Sequence, residues 1–206
     1  MTTNQSRIAW GAVALLSLGV AGYAWHYLLP GAFAPPGIKE NPRAYPWLFV
    51  HAGLAGTAMA LGPFQFLPRL RLTRPRLHRW IGRTYVFACL TGGSAGLLLA
   101  TGSTAGPIAR VGFGALAVTW LAVTSMAWRM ALARRFDEHR RWMIRSFALT
   151  FAAVTLRLYL PIGAVLGFQF LDAYRAIAWL CWVPNLLAAE LYLARRPFRA
   201  PQPAGA

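Results

Sequence analysis

Acidic residues are almost missing from this chain: 5 Asp and Glu stand against 21 Lys and Arg in 206 residues. Charge of either sign is scarce, at 13% of residues, where soluble domains carry roughly a quarter. With 57% of residues hydrophobic and a mean hydropathy of +0.44, a water-soluble core of this size has no room for the apolar side chains. The composition therefore excludes an ordinary soluble domain and points to a membrane protein. The basic side chains are nearly all arginine, and the net charge is +16. Such a charge also suits nucleic-acid binding, but here the arginines fall between apolar runs instead of along one face, so no nucleic-acid partner is expected. Cysteine is limited to Cys89 and Cys181, both inside apolar runs. They read as small buried hydrophobes, with no disulfide framework or metal spacing. Missing too are a nucleotide-binding glycine loop, a Ser-His-Asp order, Cys-x-x-Cys and H-E-x-x-H.

Present instead are about six apolar stretches near the roughly 20 residues that cross a bilayer. They cover approximately residues 8–30, 46–67, 80–101, 111–132, 143–166 and 174–194. The expected fold is all-α, a polytopic membrane helical bundle, with residues 1–195 as one transmembrane domain and 196–206 as a disordered cytoplasmic tail. Arg7 before the first stretch and Ala32-Phe33-Ala34 after it imitate a signal peptide. The apolar region exceeds the 7–15 residues of a signal core, so a retained helix is expected.

Arginine placement sets the expected orientation. Arg69, Arg71, Arg74, Arg76 and Arg79 fill the second-to-third connection, and Arg134, Arg135, Arg140 and Arg141 the fourth-to-fifth. Arg195, Arg196 and Arg199 follow the last span, whereas the other side has only Lys39, Arg43, Arg110 and Arg175. The positive-inside rule then puts both termini in the cytoplasm. Tyr45, Trp47 and Tyr174 on one side, with Trp80, Trp128 and Trp142 on the other, suit interfacial aromatic belts.

Two of these basic entrances share a pattern. Arg79-Trp80-x-x-Arg83-Thr84-Tyr85 and Arg141-Trp142-x-x-Arg145-Ser146-Phe147 align at an offset of 62 residues, with His78 and His139 one position out of register. Spans two-three and four-five are therefore candidates for parallel repeats of one helical hairpin. Thr73 with Pro75, and Asp137 with Glu138, are N-cap-like signals that place both histidines in the first turn or two of their helices.

Ionisable groups at membrane depth are functional candidates by default. His51 shares a helical stripe with Ala55, Ala58, Gly62 and Gln65, small and polar enough to face other helices. His26 shares one with Gly19 and Gly22. Arg157 and His139 lie eighteen residues apart, five turns at 3.6 residues each, and so share one face at opposite ends of the fifth span. Glu190 needs a cation, and Arg83 and Arg145 are the candidates. Both arginines also suit snorkelling to lipid phosphates. Gly92 and Gly96 form a G-x-x-x-G pair for close packing within the chain, and Trp120, Thr124 and Trp128 line one face of the fourth span.

H-A-G-L-A-G in the second span, G-P-F-Q-F at its inner end, H-R-W-x-G-R-x-Y and H-R-R-W-M-I-R-S together resemble a family of predicted bacterial membrane proteins classed as a domain of unknown function. The likeness covers about residues 46–195. It implies a multi-helix, multi-pass protein of the bacterial inner membrane, and it singles out His51, His78, Arg83, His139, Arg145 and Arg157. The chain is also weakly similar to six-helix b-type cytochromes with two haems, which place axial histidines on spans two and four and on spans three and five. The fourth span here has no histidine, so the outer pair is broken unless His26 substitutes, whereas the inner pair, His78 with His139, survives.

Two functional expectations follow. In the leading one, His78 and His139 ligate the iron of a b-type haem or line a quinone site on the cytoplasmic side, with Arg83 and Arg145 for propionates, and with His51 and Arg157 as further cofactor-side residues. In the alternative, the twin basic clusters form a cytoplasmic pocket for an anionic lipid headgroup or other amphiphile. A zinc site built from His51, His78 and His139 with Asp137 or Glu138 ranks last, since His51 lies most of a bilayer away.

Overall fold

The computed structural model describes residues 3–29, 31–32, 38 and 40–195. The expected tail at 196–206, and Phe33, Ala34 and Lys39, lie outside the described residues. Among the described residues every regular element is a helix. Six runs are long and apolar enough to cross a membrane: Arg7–His26, Trp47–Gln65, Pro75–Thr101, Pro107–Leu132, Phe136–Val165 and Phe170–Ala194. These are the six expected spans. Helices suit such sequences because lipid offers no water to the backbone, so each N–H and C=O must bond within its own segment.

Several helices start earlier than the apolar stretches suggest, among them the third and the fifth. The third begins at Pro75, whose missing N–H costs nothing in the first turn. The fifth begins at Phe136 and carries Asp137 and Glu138 in its first turn, where the helix dipole favours negative charge. Thr73 does not cap the third span. It closes a short helix, Pro68–Thr73, and its Oγ1 donates back to the Arg69 carbonyl at 2.8 Å. His78 and His139 are each the fourth residue of their helix, the depth read from the sequence.

The last two spans are interrupted. The fifth divides into Phe136–Thr150 and Ala152–Val165, meeting at Phe151. The Phe151 carbonyl accepts from the amides of Val154 at 2.9 Å and Thr155 at 3.2 Å. The five-turn register between His139 and Arg157 is therefore not carried along one uninterrupted helix. The sixth divides into Phe170–Leu180 and Val183–Ala194. Pro184 lacks the N–H that would continue the ladder from Leu180.

The second and third spans pack most extensively, followed by third on fourth, fourth on fifth and first on second. Gly92 lets the second and third spans approach closely, since a Cβ there would lie 3.1 Å from the Ala55 amide nitrogen. The G-x-x-x-G pair thus works within the chain. The sixth span closes against the fourth and fifth. Tyr85, Cys89, Trp120, Met143, Leu149 and Cys181 form the main core, and both cysteines are buried and free. Large apolar side chains such as Leu15, Phe87, Val118, Val165 and Leu191 face outward, as a lipid-facing surface requires.

Candidate functional site

The chemistry-bearing side chains gather at opposite ends of the bundle. At the arginine-rich end, the first turns of the fifth span meet the last turn of the sixth. Arg145 donates through Nε and Nη2 to the two carboxylate oxygens of Glu190, at 2.5 and 2.8 Å. This bidentate fork is the strong form of the pair. The same guanidinium lies 4.7 Å from the centre of the Trp142 ring. Arg145, and not Arg83, therefore neutralises Glu190. Arg83 is exposed and stacks over its own neighbour Trp80 at 5.6 Å. The two matching motifs are used differently: one arginine faces the sixth span, the other faces outward.

A cavity of about 400 Å³ opens beside this pair, lined by Arg135, Glu138, Arg141, Trp142 and Arg145. Arg135 pairs with Glu138 one turn on, and Arg141 Nη1 donates to the Leu193 carbonyl at 3.4 Å. Three guanidiniums against Glu138 in the lining and Glu190 on Arg145 leave one positive charge in excess, and Trp142 adds an apolar face.

The two histidines at this end differ. His139 Nδ1 lies 2.8 Å from the Ala127 carbonyl of the fourth span. A carbonyl only accepts, so Nδ1 carries a proton, and Nε2 is the nitrogen that bears the lone pair in the neutral ring. His78 is half-buried, and its buried Nδ1 has no hydrogen-bond partner among the described residues. The two rings lie within electrostatic reach of each other. Neither lines the cavity.

Beneath them is a polar knot that the sequence reading did not assemble. Tyr85 OH lies 3.0 Å from Ser146 Oγ and 2.9 Å from Thr150 Oγ1. Thr124 Oγ1 lies 2.7 Å from Ser146 Oγ, and Trp120 Nε1 donates to Thr150 Oγ1 at 3.0 Å. Thr150 spends its own proton on the Ser146 carbonyl at 2.9 Å. The remaining protons then have one consistent order: Thr124 donates to Ser146, Ser146 to Tyr85, and Tyr85 to Thr150. Every hydroxyl proton is used once, as buried hydroxyls require. The knot ties the third, fourth and fifth spans together beneath the two basic entrances. The available signal was Ser146 and Thr150 four residues apart on one helix face, matched by Trp120 and Thr124 on another.

At the opposite end, His51 Nδ1 bonds the Gly92 carbonyl at 2.9 Å, which fixes the same tautomer as in His139. Gly96 makes room for the ring, because a Cβ there would meet His51 Nδ1 at 2.8 Å. The small-residue stripe beside His51 faces neighbouring helices as expected: Ala58 is buried, and Gly62 lies against Phe147. Arg157 Nη1 donates to the Ala153 carbonyl at 2.9 Å, and the guanidinium lies 5.0 Å from the centre of the Tyr23 ring in the first span. His139 faces the fourth span and Arg157 the first, so the two do not share a neighbour.

The six singled-out residues thus split into His78, His139, Arg83 and Arg145 at one end and His51 and Arg157 at the other. Among the described residues no three His, Cys, Asp or Glu side chains come together as a metal site, so His51, His78 and His139 are not joined as the zinc arrangement requires. A family model described as "Predicted membrane protein (DUF2306)" matches residues 48–193. Neither a curated protein nor a solved structure matches the chain. The matched stretch includes all six of these residues and leaves the first span outside it.

Proposed function

The chain belongs to this family of predicted membrane proteins, and we propose that it binds the anionic headgroup of a lipid or other amphiphile at its arginine-rich end. The observation that carries this reading is the cavity of about 400 Å³ walled by Arg135, Arg141 and Arg145 around Trp142. Guanidiniums supply forked donors that match phosphate and carboxylate oxygens, and basic pockets between spans hold lipid headgroups. In this reading the protein is a multi-pass component of the bacterial inner membrane with both termini cytoplasmic, and the cavity faces the cytoplasm. Only the second R-W-x-x-R segment contributes to the cavity, so the ligand belongs to that copy alone.

Each arginine near an anionic surface is worth about 1 kcal/mol. An Arg135→Ala/Arg141→Ala variant should therefore lose about 2 kcal/mol of headgroup affinity, about 30-fold. Both substitutions leave the Arg145–Glu190 pair in place. Phosphorus assayed in detergent-purified protein should fall in this variant and hold steady in Arg83→Ala, whose side chain lies outside the cavity lining. Equal phosphorus in all three would count against the proposal.

A second reading, a b-type haem or a quinone held by His78 and His139, rests on a separate observation. His139 carries a proton on Nδ1, so its neutral ring presents Nε2, the arrangement an iron-ligating histidine uses. His78 fits less well, because nothing bonded to its Nδ1 fixes the ring. Bound there, haem would supply one-electron chemistry while the two histidines and nearby arginines held its iron and propionates. Purified protein from haem-replete cells with no Soret band would remove the haem version.

A further inference from the structure

An arginine at the other end, Arg157, has a buried Nε and no counter-ion among the described residues. Arg157 lies eight residues before the end of its span, where an unneutralised cation is costly. The whole chain has 5 Asp and Glu, and each can be placed. Glu138 pairs with Arg135, Glu190 with Arg145 and Asp172 with Arg175. Asp137 sits in the first turn of the fifth span, at the arginine-rich end, and Glu40 is exposed in the first connector. Residues outside the described set include no Asp or Glu.

The phenols beside Arg157 do not substitute. Tyr23, Tyr27 and Tyr174 lie within electrostatic reach of it. Burial, reinforced by the hydrogen bond with Tyr23, pushes Tyr27 up to about 12, so that hydroxyl stays protonated at physiological pH. His51, also within reach, carries no negative charge in any state.

The hydrogen bonds of Arg157 are equally incomplete. Its Nη1 is committed to the Ala153 carbonyl, while the buried Nε has no partner among the described residues. An orphaned donor of this kind is rare and costly. Arg145 in the same protein shows what that edge does when filled: its Nε and Nη2 grip the two oxygens of Glu190. Arg157 presents the same Nε edge, with Tyr23 behind the guanidinium plane.

We infer that Arg157 is the receptor for a carboxylate supplied from outside the chain, bound where the first, second, fifth and sixth spans converge beside Tyr23, Tyr27 and His51. This site is independent of the headgroup cavity at the other end. The carboxylate comes either from a membrane-dissolved fatty acid or from a water-soluble acid, and both present the same two oxygens to the fork.

The test uses full-length protein in uncharged detergent, with oleate, oleyl alcohol, acetate and phosphatidylglycerol as separate probes. The variants are Arg157→Lys, which keeps the charge and loses the fork, and Tyr23→Phe, which keeps the ring behind the guanidinium. Binding is read by isothermal titration and by the shift in thermal midpoint. Oleate should bind saturably and raise the midpoint of wild-type protein and of Tyr23→Phe, with at least tenfold weaker binding to Arg157→Lys. Oleyl alcohol should do neither. Acetate displacing oleate at millimolar concentration would assign the site to soluble acids, and failure to displace it would assign the site to fatty acids. Equal oleate binding by wild type and Arg157→Lys would overturn the inference. So would phosphatidylglycerol binding at Arg157 as tightly as oleate, which would make the arginine a snorkelling lipid anchor. Because the arginine-rich cavity also suits a carboxylate, wild-type Arg157 and Arg157→Lys are compared in the Arg135→Ala/Arg141→Ala background, where the Arg157-dependent oleate binding should persist, so failure at one end is distinguishable from failure at the other.

Discussion

Thr150→Val should destabilise the bundle by about 2–3 kcal/mol. The methyl group replaces a hydroxyl of nearly the same shape, so packing is conserved and the loss is polar. Thr150 Oγ1 accepts from Trp120 Nε1 and from Tyr85 OH, and both residues are buried. Removing it strands two donors at once, each costing about 1–3 kcal/mol when unsatisfied. Hydrogen bonds between membrane helices average less than that, near 0.6 kcal/mol, because the unfolded chain also finds partners in lipid. The expected value therefore sits toward the low end of the simple sum. Thr150→Ser retains the acceptor and should recover most of the stability. Unfolding in mixed micelles followed by far-ultraviolet circular dichroism measures both, and a loss below about 0.5 kcal/mol for the valine variant would contradict the proton order assigned to the knot.

Glu190→Ala should move stability and binding in opposite directions. Losing the bidentate partner of Arg145 should cost about 1 kcal/mol, a modest figure because Glu190 is 45% exposed and its pair is partly screened by solvent. The freed guanidinium still stacks on Trp142 and still lines the cavity. It adds one uncommitted cation to the site, worth about 1 kcal/mol of headgroup affinity, or about fivefold. Thermal unfolding and lipid titration on the same preparation give both quantities. A pair that is structural glue alone predicts that affinity falls together with stability.

The six spans were legible from hydropathy because the membrane imposes a length and an internal hydrogen-bonding requirement that few other contexts impose together. The helix starts at Pro75 and Phe136 were less so. Their first turns are charged and lie where water meets lipid, so the apolar signal begins after the helix does. The division of the fifth span at Phe151 had no hydropathy signature, whereas Pro184 marked the division of the sixth. For the sites, residue types were legible and partners were not. Arg83 and Arg145 occupy the same position in near-identical motifs, and only the packing of the sixth span against the fifth distinguishes the paired one from the exposed one. The Tyr85, Ser146 and Thr150 knot was missed for a related reason. Hydroxyls in membrane helices commonly bond back to their own helix, and a sequence alone does not reveal which of them meet across three spans.

An anion-selective headgroup site at the arginine-rich end is tested most directly by native mass spectrometry of the protein titrated with phosphatidylglycerol and phosphatidylcholine. Three guanidiniums in the lining predict a preference for the anionic lipid of at least about tenfold, weakening as salt rises and shrinking toward parity in Arg135→Ala/Arg141→Ala. Equal affinity for the two lipids in wild-type protein, or a preference that survives the double substitution, would contradict it.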